Sequence, residues 1–281
     1  MGCLFLVATP LGNLEDITLR ALRVLKEADL IAAEDTRRTR ELLAYYGLHT
    51  PLISYHQHNL QKRGSALLEW LKEGKKIALV TDAGMPGIAD PGEDLVREAV
   101  EAGIEVVAVP GPSAVIAALA VSGLPTGRFV FEGFLPRKPS ERKKRLRELA
   151  GEERTLVLFE APHRLRETLQ DMLDILGGER SIAVTRELTK KFETVFRGTI
   201  QEARDYFSQE EPRGEITMVV KGAARSKPLF LPAEAAVLVE ALEKAGRPRK
   251  EALAEVARFY GRPRREIYKA CLESSKQLSS S

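Results

Sequence analysis

The chain of 281 residues has only two cysteines, Cys3 and Cys271, far apart and with no pairing pattern. That excludes a disulfide scaffold and fits reduced cytoplasmic thiols. Long hydrophobic runs are also missing: Ile77–Val80 and Val115–Val121 fall well short of the roughly 20 residues that span a bilayer. The apolar stretch Cys3–Ala8 is too short for a secretory core and is broken at once by Pro10 and Gly12. Met1-Gly2 lacks the hydroxyl residue that myristoylation needs, because Leu6 stands there. No Gly-x-Gly-x-x-Gly follows the first apolar run, and no Gly-x-x-x-x-Gly-Lys-Ser/Thr occurs anywhere, which disfavours the usual dinucleotide fold and removes the P-loop nucleotidases. Gly-x-Ser-x-Gly is absent as well. His56 and His58 are two apart and remote from either cysteine, so no zinc-like cluster, and no metal, is expected.

What is present is an ordinary globular composition, 44% hydrophobic and 30% charged, at a length that suggests two domains, or two plus a small appendage. Net charge is +3, yet residues 1–227 are balanced, and the whole excess falls after Pro228, where ten basic residues meet seven acidic ones. A basic tail of this kind suits a polyanionic partner, and a solvated helical surface explains it equally well.

Apolar runs at Leu4–Thr9, Leu30–Ala33, Ile77–Thr81 and Glu105–Val109 alternate with helical patterns starting near Leu19 (with Thr18 as N-cap) and covering Thr39–Tyr46, Gln57–Lys72 and Glu93–Ala102. This alternation without hairpin signals predicts a mostly parallel sheet covered on both faces. After Phe129–Phe131 the Pro-rich, basic stretch Gly133–Ser140 reads as a linker. A second α/β layer then follows, with strands at Thr155–Phe159, Ser181–Thr185, Phe192–Phe196 and Ile216–Val220 and helices at Arg164–Leu176 and Gln201–Phe207. A break at Ala223–Pro228 precedes three short helical patterns, the last two (Lys250–Tyr260 and Arg264–Glu273) joined by Gly261-Arg-Pro263 as in a helix-turn-helix, and the chain closes on Ser279-Ser-Ser281. The expected domains are thus 1–135, 136–225 and 226–281.

Three loops rich in glycine and proline, Pro10–Asn13, Asp82–Gly92 and Pro110–Ala114, fall at the carboxyl ends of predicted parallel strands, where open α/β sheets bind ligands. Physical reasoning alone reaches a two-lobed α/β protein with a Gly/Pro-walled cleft.

The same loops carry a resemblance. Ala8-Thr-Pro-Leu-Gly-Asn-Leu14, Glu34-Asp-Thr-Arg37, Asp82–Gly92 and Val109-Pro-Gly-Pro-Ser-Ala114, followed by Phe159-Glu-Ala-Pro-His-Arg164, Arg186-Glu-Leu-Thr-Lys190 and Gly214–Val220, resemble the signatures of the ribosomal RNA small subunit methyltransferase I family, in the tetrapyrrole methylase superfamily. The match runs from Leu4 to about Gly222, and the basic helical tail is similar too. It departs at Met85, where threonine is expected.

The resemblance implies two α/β lobes with S-adenosyl-L-methionine between them and a small C-terminal helical domain. It also implies 2′-O-methylation of a cytidine in the decoding region of 16S rRNA, a cytoplasmic location and a homodimer. Pro10, Leu11, Gly12, Gly84, Pro86, Gly87, Ile88, Ser113, Ala114, Glu160, Ile216 and Thr217 would form the cofactor site. Methyl transfer from a sulfonium is mainly a matter of alignment, but a ribose hydroxyl needs help losing its proton. Glu160 and Glu187 rank first for that task, then Lys190 and Asp35, with His163 equally explained as a helix-start residue. Asp82 and Asp90 serve either the site or the turns.

Arg37, Arg164 and Arg186 are candidates to pin phosphates. Two basic patches are candidates for RNA binding: Arg137, Lys138, Arg142, Lys143, Lys144, Arg145 and Arg147 at the lobe junction, and Arg247, Arg249, Lys250, Arg262, Arg264 and Arg265 in the tail, with Phe259, Tyr260 and Tyr268 as possible stacking partners. The alternatives are methylation of a tetrapyrrole or other small molecule, and a non-catalytic RNA-binding assembly factor.

Overall fold

The computed structural model describes residues 2–209, 212–224 and 230–278. It divides into two compact units, Met1–Ala223 and Ala224–Ser281. Of the expected break, residues 225–228 lie outside the described residues, as do the closing serines 279–281.

The first unit holds two five-stranded sheets. In the first, β1 (Cys3–Val7), β2 (Leu30–Ala33), β3 (Leu52–Ser54), β4 (Lys76–Val80) and β5 (Glu105–Val109) run parallel in the order β3-β2-β4-β1-β5. Alternate side chains of these apolar strands enter two cores, as a sheet buried on both faces requires. Ile31, Ala33, Ala78 and Val80 pack with α1 (Leu19–Glu27) and α2 (Thr36–Tyr45), while Leu4, Ala32, Ile77 and Leu79 pack with α3 (Leu60–Lys72) and α4 (Gly92–Glu101). Thr18 caps α1 as expected, its hydroxyl accepting from Ala21 N–H at 3.0 Å.

In the second sheet, β6 (Phe129–Phe134), β7 (Thr155–Glu160), β8 (Ser181–Arg186), β9 (Thr194–Thr199) and β10 (Ile216–Val220) follow the order β6-β7-β10-β8-β9 and mix parallel and antiparallel pairs. One face carries α6 (Pro139–Leu149), α7 (Leu165–Leu176) and α8 (Ile200–Gln209). The other face receives α5 (Ala114–Val121): Val115, Ala118 and Leu119 join Leu11, Val157, Ala183, Leu188 and Val219 in one core. The two lobes therefore share buried surface. Strand β6, expected with the first lobe, pairs with β7 in the second sheet, and the presumed linker after it leads into α6 with Pro139 in its first turn. Proline is favoured there because its missing N–H has no partner to lose.

The second unit is a three-helix cluster of α9 (Pro232–Lys244), α10 (Arg249–Tyr260) and α11 (Arg264–Leu278) around Ala235, Val239, Leu253, Val256, Ile267 and Cys271. Gly261 ends α10 in a left-handed conformation (φ +60°), the turn a helix-turn-helix needs and one glycine reaches without strain. Among the described residues no helix is long and apolar enough to cross a membrane, and no group of three His, Cys, Asp or Glu is placed to hold a metal.

Candidate active site

Strand order reverses at β1 and β4: the chain leaves β1 toward β2 on one side, and leaves β4 toward β5 on the other. Crevices form at such switch points, outside the carboxyl ends of the strands. Here the two loops are tied to each other. Thr9 N–H donates to Gly84 C=O at 2.9 Å, Gly84 N–H returns a bond to Thr9 C=O at 3.0 Å, and the Thr9 hydroxyl donates to Thr81 C=O at 3.0 Å.

On one side of this tie lies the glycine–proline wall. Gly84 and Gly87 both hold φ +84°, a region that favours glycine. A Cβ at Gly84 would lie 3.4 Å from Leu11 Cδ2 and 3.7 Å from Pro112 C=O, so this loop sits against both neighbouring loops. Asp90 fastens its far end by accepting from Gly87 N–H (2.9 Å), Ile88 N–H (3.3 Å) and Gly92 N–H (2.7 Å), and is thereby a loop-former. Ser113 begins α5 without capping it. Phe131, Phe134 and Phe159, none named as a site residue from the sequence, cluster at the end of the second sheet, Phe131 edge-on to Phe159 with centroids 5.0 Å apart and Phe134 tilted against it at 5.5 Å. Thr217 is buried beside Phe159 on β10, whereas Ile216 turns its side chain into the core with α6–α8.

Against Pro10–Gly12 opens a charged cavity of about 500 Å³, lined by Arg38, Glu41, Leu42 and Tyr45 from α2, Asp82 from the β4 loop, and Lys190 and Glu215 from the second lobe. Lys190 Nζ lies 2.9 Å from Glu187 Oε1 and 3.4 Å from Glu215 Oε1. Its aliphatic stem crosses Gly12 so closely that a Cβ on Gly12 would collide with Lys190 Cγ and Cε. Asn13 N–H donates to the Thr189 hydroxyl at 3.2 Å, a second bridge between the lobes. Backbone strain gathers at these loops: among the described residues the non-glycine positions with positive φ are Ala89 (+61°), Glu187 (+54°) and Thr189 (+65°). Such strain persists where surrounding contacts over-determine the conformation, commonly at functional sites.

The four proton-acceptor candidates fare differently. Glu160 has no exposed side-chain surface. It accepts from Ala161 N–H at 2.8 Å and the Thr168 hydroxyl at 2.6 Å, and lies 3.5 Å from Arg164 Nε. These contacts give it a structural task, securing the β7–α7 turn. Asp35 caps α2 and is forked by Arg37 (Nε 3.1 Å, Nη2 2.8 Å). The Arg37 side-chain bonds, then its backbone N–H, hold the Asp35 pKa at about 2. Glu187 and Lys190 both line a more open space of about 690 Å³ that adjoins the charged cavity. Partial burial acts to raise the Glu187 pKa, but hydrogen bonds from Lys190 and Glu215 N–H, with the Lys190 and Arg186 charges, hold it below the usual carboxylate range. Asp82 accepts from Asp35 N–H at 3.0 Å and pairs with Arg38 at 3.5 Å, joining the β2 and β4 loops. His163 lies in a short 3-10 turn before α7.

Several expected RNA contacts are corrected by packing. Arg142 is 2% exposed, with Nε 2.7 Å from Asp171 and Nη2 3.3 Å from Glu167. Arg164 donates to the Leu135 and Pro136 carbonyls at 3.0 and 3.1 Å. Both are internal ties, unavailable to phosphate. Lys143 pairs with Asp171 at 3.3 Å, Lys138 with Glu141 at 3.1 Å, and Arg145 with Glu132 and Glu148, while Arg137, Lys144 and Arg147 stand exposed. Arg186 Nε reaches the Thr194 hydroxyl at 3.2 Å.

In the second unit Arg247, Arg249 and Arg262 pair with Glu255, Glu243 and Glu266, and Lys250, Arg264 and Arg265 are exposed. Phe259 and Tyr268 are exposed, but Tyr260 belongs to the core. Sequence reasoning chose Arg37 and passed over Arg38, Glu41, Leu42 and Tyr45. Their i, i+3, i+4, i+7 spacing, which places them on one face of α2, was the available signal.

Comparisons with known proteins identify the family and the fold. The tetrapyrrole (corrin/porphyrin) methylase family matches residues 3–204. The ribosomal RNA small subunit methyltransferase I of Synechocystis is 50% identical over 274 residues, 97% of this chain and 98% of that protein. Its namesake in Bacillus subtilis is 46% identical over 96% of this chain and 94% of its own. The Thermotoga maritima protein of that name is 53% identical over 222 residues, 99% of its length but 79% of this chain. Among solved structures, cobalt precorrin-4 methyltransferase aligns with TM-score 0.62 at 19% identity, over 78% of this chain and 94% of that one. Uroporphyrin-III C-methyltransferase from Thermus thermophilus, complexed with S-adenyl homocysteine, aligns with TM-score 0.56 at 22% identity, over 78% and 97%. At these identities the two structures speak for the fold alone.

Proposed function

This chain belongs to the tetrapyrrole methylase family and, through relatives matched along nearly its whole length, to the ribosomal RNA small subunit methyltransferase I family, and from that premise we propose that it methylates the 2′-hydroxyl of a cytidine in the decoding region of 16S rRNA, using S-adenosyl-L-methionine. The observation that carries this reading is the cavity at the tied β1 and β4 loops, walled by Pro10–Gly12 and lined by charges from both lobes, next to a glycine–proline loop whose Gly84 and Gly87 hold positive φ.

The glycine–proline wall fits the donor. A Cβ built at Gly87 meets open space, and the Ser113 hydroxyl is not used as a cap. Gly84, Pro86, Gly87, Ile88, Ser113, Ala114 and Thr217 would hold it, with Phe159 beside them. When bound, the cofactor supplies an electrophilic sulfonium methyl group. Pro10, Leu11 and Gly12 form the partition past which the ribose oxygen must approach, and Leu11, 6% exposed in the core shared by both lobes, keeps that partition fixed. Alignment of this kind accounts for most of the rate in a displacement on an already reactive centre.

Glu187 takes the hydroxyl proton, and Lys190 orients its carboxylate. The lowered Glu187 pKa keeps the acceptor ionised at neutral pH, at the cost of basicity, which the reactivity of the methyl donor makes tolerable. The small ribosomal subunit is the partner, the cytoplasm the location and a homodimer the assembly in this reading.

The deciding experiment incubates the chain with labelled S-adenosylmethionine and either small subunits lacking the modification or a precorrin, followed by ribose-methylation mapping of 16S rRNA. Label on one ribose of the subunit is the expected result. Label on the precorrin alone overturns the proposal in favour of a small-molecule methyltransferase. Subunit binding without heat on titration of S-adenosylmethionine overturns it in favour of an assembly factor.

A further inference from the structure

We infer that Arg38 and Lys190 form a phosphate site for the acceptor RNA, held in the free protein by the Glu215 carboxylate, with Tyr45 as the surface for the adjoining base; the inference rests on the RNA reading above.

Glu215 Oε1 lies between the two cations, 3.4 Å from Lys190 Nζ and 3.8 Å from Arg38 Nη1. The cations come from different lobes, so this one oxygen bridges the cavity mouth. Of the carboxylates around this space, Asp82, Glu187 and Glu215 are held very differently, and Glu41 stands exposed. Asp82 accepts from Asp35 N–H at 3.0 Å, and Glu187 accepts from Glu215 N–H at 3.0 Å in addition to Lys190. Their side chains are 31% and 23% exposed. The Glu215 side chain is 53% exposed, and among the described residues only its two long ion pairs hold the carboxylate. Exposed pairs of that length contribute little. A phosphodiester offers the same anionic oxygens and reaches both cations once the carboxylate swings into water.

Arg38 is the cation suited to this. Its side chain is 57% exposed and lines the cavity, whereas Arg37, next to it, is forked onto both oxygens of Asp35 and lies outside the lining. Tyr45, two turns along the same face of α2, is 64% exposed and borders both the charged cavity and the adjoining space. An aromatic face beside a cationic track is the common way to hold a single-stranded nucleotide. A cavity of about 500 Å³ falls in the range that encloses a small ligand, so one nucleotide drawn out of the RNA can occupy it.

The test compares full-length R38Q, E215Q and Y45A with the parent, scoring subunit binding separately from methyl transfer. R38Q is expected to raise KM for subunits about tenfold and to lower the slope of log affinity against log salt by about one. Affinity for S-adenosylmethionine and the thermal midpoint should stay put. Y45A raises KM several-fold, and Y45F restores it. E215Q is the distinguishing variant: loss of the competing anion tightens subunit binding several-fold at low salt. If E215Q weakens binding as R38Q does, or if R38Q leaves KM and salt slope unchanged while the parent methylates subunits, the phosphate site is wrong and the function stands. A parent chain that binds subunits but transfers no methyl overturns the function, and the binding comparison still decides the site. A parent that does neither overturns both.

Discussion

Helix α6 in the first unit and helices α10 and α11 in the second all carry several Lys and Arg residues, yet individual cations on them are used in opposite ways. Arg142 on α6 is clamped between Asp171 and Glu167 with 2% of its side chain exposed. Lys250, Arg264 and Arg265 stand in solvent. A charge in the first setting is part of the fold, because leaving Asp171 (7% exposed) without its main partner strands a buried carboxylate. A charge in the second setting is free to meet a polyanion and is weakened by salt. The same residue types thus serve the fold where they are buried and stand open to a charged partner where they are exposed.

The largest expected effect breaks the comparison if it fails. Arg142→Met should cost about 3 kcal/mol, because removing one partner of a buried pair leaves the other uncompensated, and for a unit of this size the thermal midpoint should fall by roughly 6–12 °C. Subunit affinity of the folded fraction should not change. Replacement of Lys250, Arg264 and Arg265 together by Ala should do the reverse: an unmoved midpoint, but weaker subunit binding with a shallower salt dependence. Calorimetry and filter binding across a salt series check both. A stable Arg142→Met that loses RNA would return α6 to the interface.

The fold was legible to the extent that local pattern carries it. Apolar runs marked β1, β2, β4 and β5, with Gly or Pro closing all but β2, because a parallel strand in a covered sheet is largely apolar. Strand β3, three residues long and only partly buried, has too little pattern to find. The place of β6 in the second sheet depends on pairing with β7 across α6, which no local signal encodes. The same limit governs the site. Glycine and proline marked the loops, since their backbone role is intrinsic. Whether Glu160 faces the cleft or the turn at Thr168 depends on which face of β7 it occupies, and Glu160 falls in register with Leu156 and Leu158 of the core. Arg38 and Glu215 meet only when the two lobes pack, so their partnership has no signature in either stretch.

A second prediction sharpens the contrast within the first unit. Gly12→Val pushes the Lys190 stem off the Pro10–Gly12 partition, because a Cβ there collides with it. Displacement of reacting groups by about 1 Å costs on the order of 100-fold in rate, so kcat should fall by that factor, while displacement of Lys190 from the phosphate site raises KM for subunits about tenfold, as R38Q does. Steady-state kinetics with small subunits distinguish this from a binding defect alone.

Removal of the second unit is expected to have a smaller effect on chemistry. Residues 1–223 contain both sheets, and the Thermotoga maritima relative is matched over 99% of its length by 222 residues, about the size of this first unit. The truncated chain should keep its affinity for S-adenosylmethionine and its turnover at saturating subunit, while KM rises about tenfold and the salt slope flattens as exposed cations are lost. If donor binding disappears with the truncation, the assignment of the two units to chemistry and affinity is wrong.

The smallest effect concerns Asp35, whose carboxylate keeps Arg37 in neither of the two classes: exposed like the tail cations, yet paired like Arg142. Its pKa is depressed to about 2 by Arg37, below the ordinary 3.8. A depressed carboxylate adds stability that is fully present above its unfolded pKa and is lost as pH falls through the folded one. Asp35→Asn preserves an N-cap, since asparagine serves as well there, so it isolates the pairing with Arg37. The midpoint difference between parent and Asp35→Asn should therefore be small and steady from pH 7 to about 4, then shrink toward zero near pH 2. Other depressed carboxylates, Glu152 and Glu187 among them, titrate alike in both proteins and cancel. A difference that does not shrink on acidification would mean that it does not arise from the Arg37 pairing. In the same variant Arg37 is released, and a modest steepening of the salt dependence of subunit binding is expected, moving one cation from the first class toward the second.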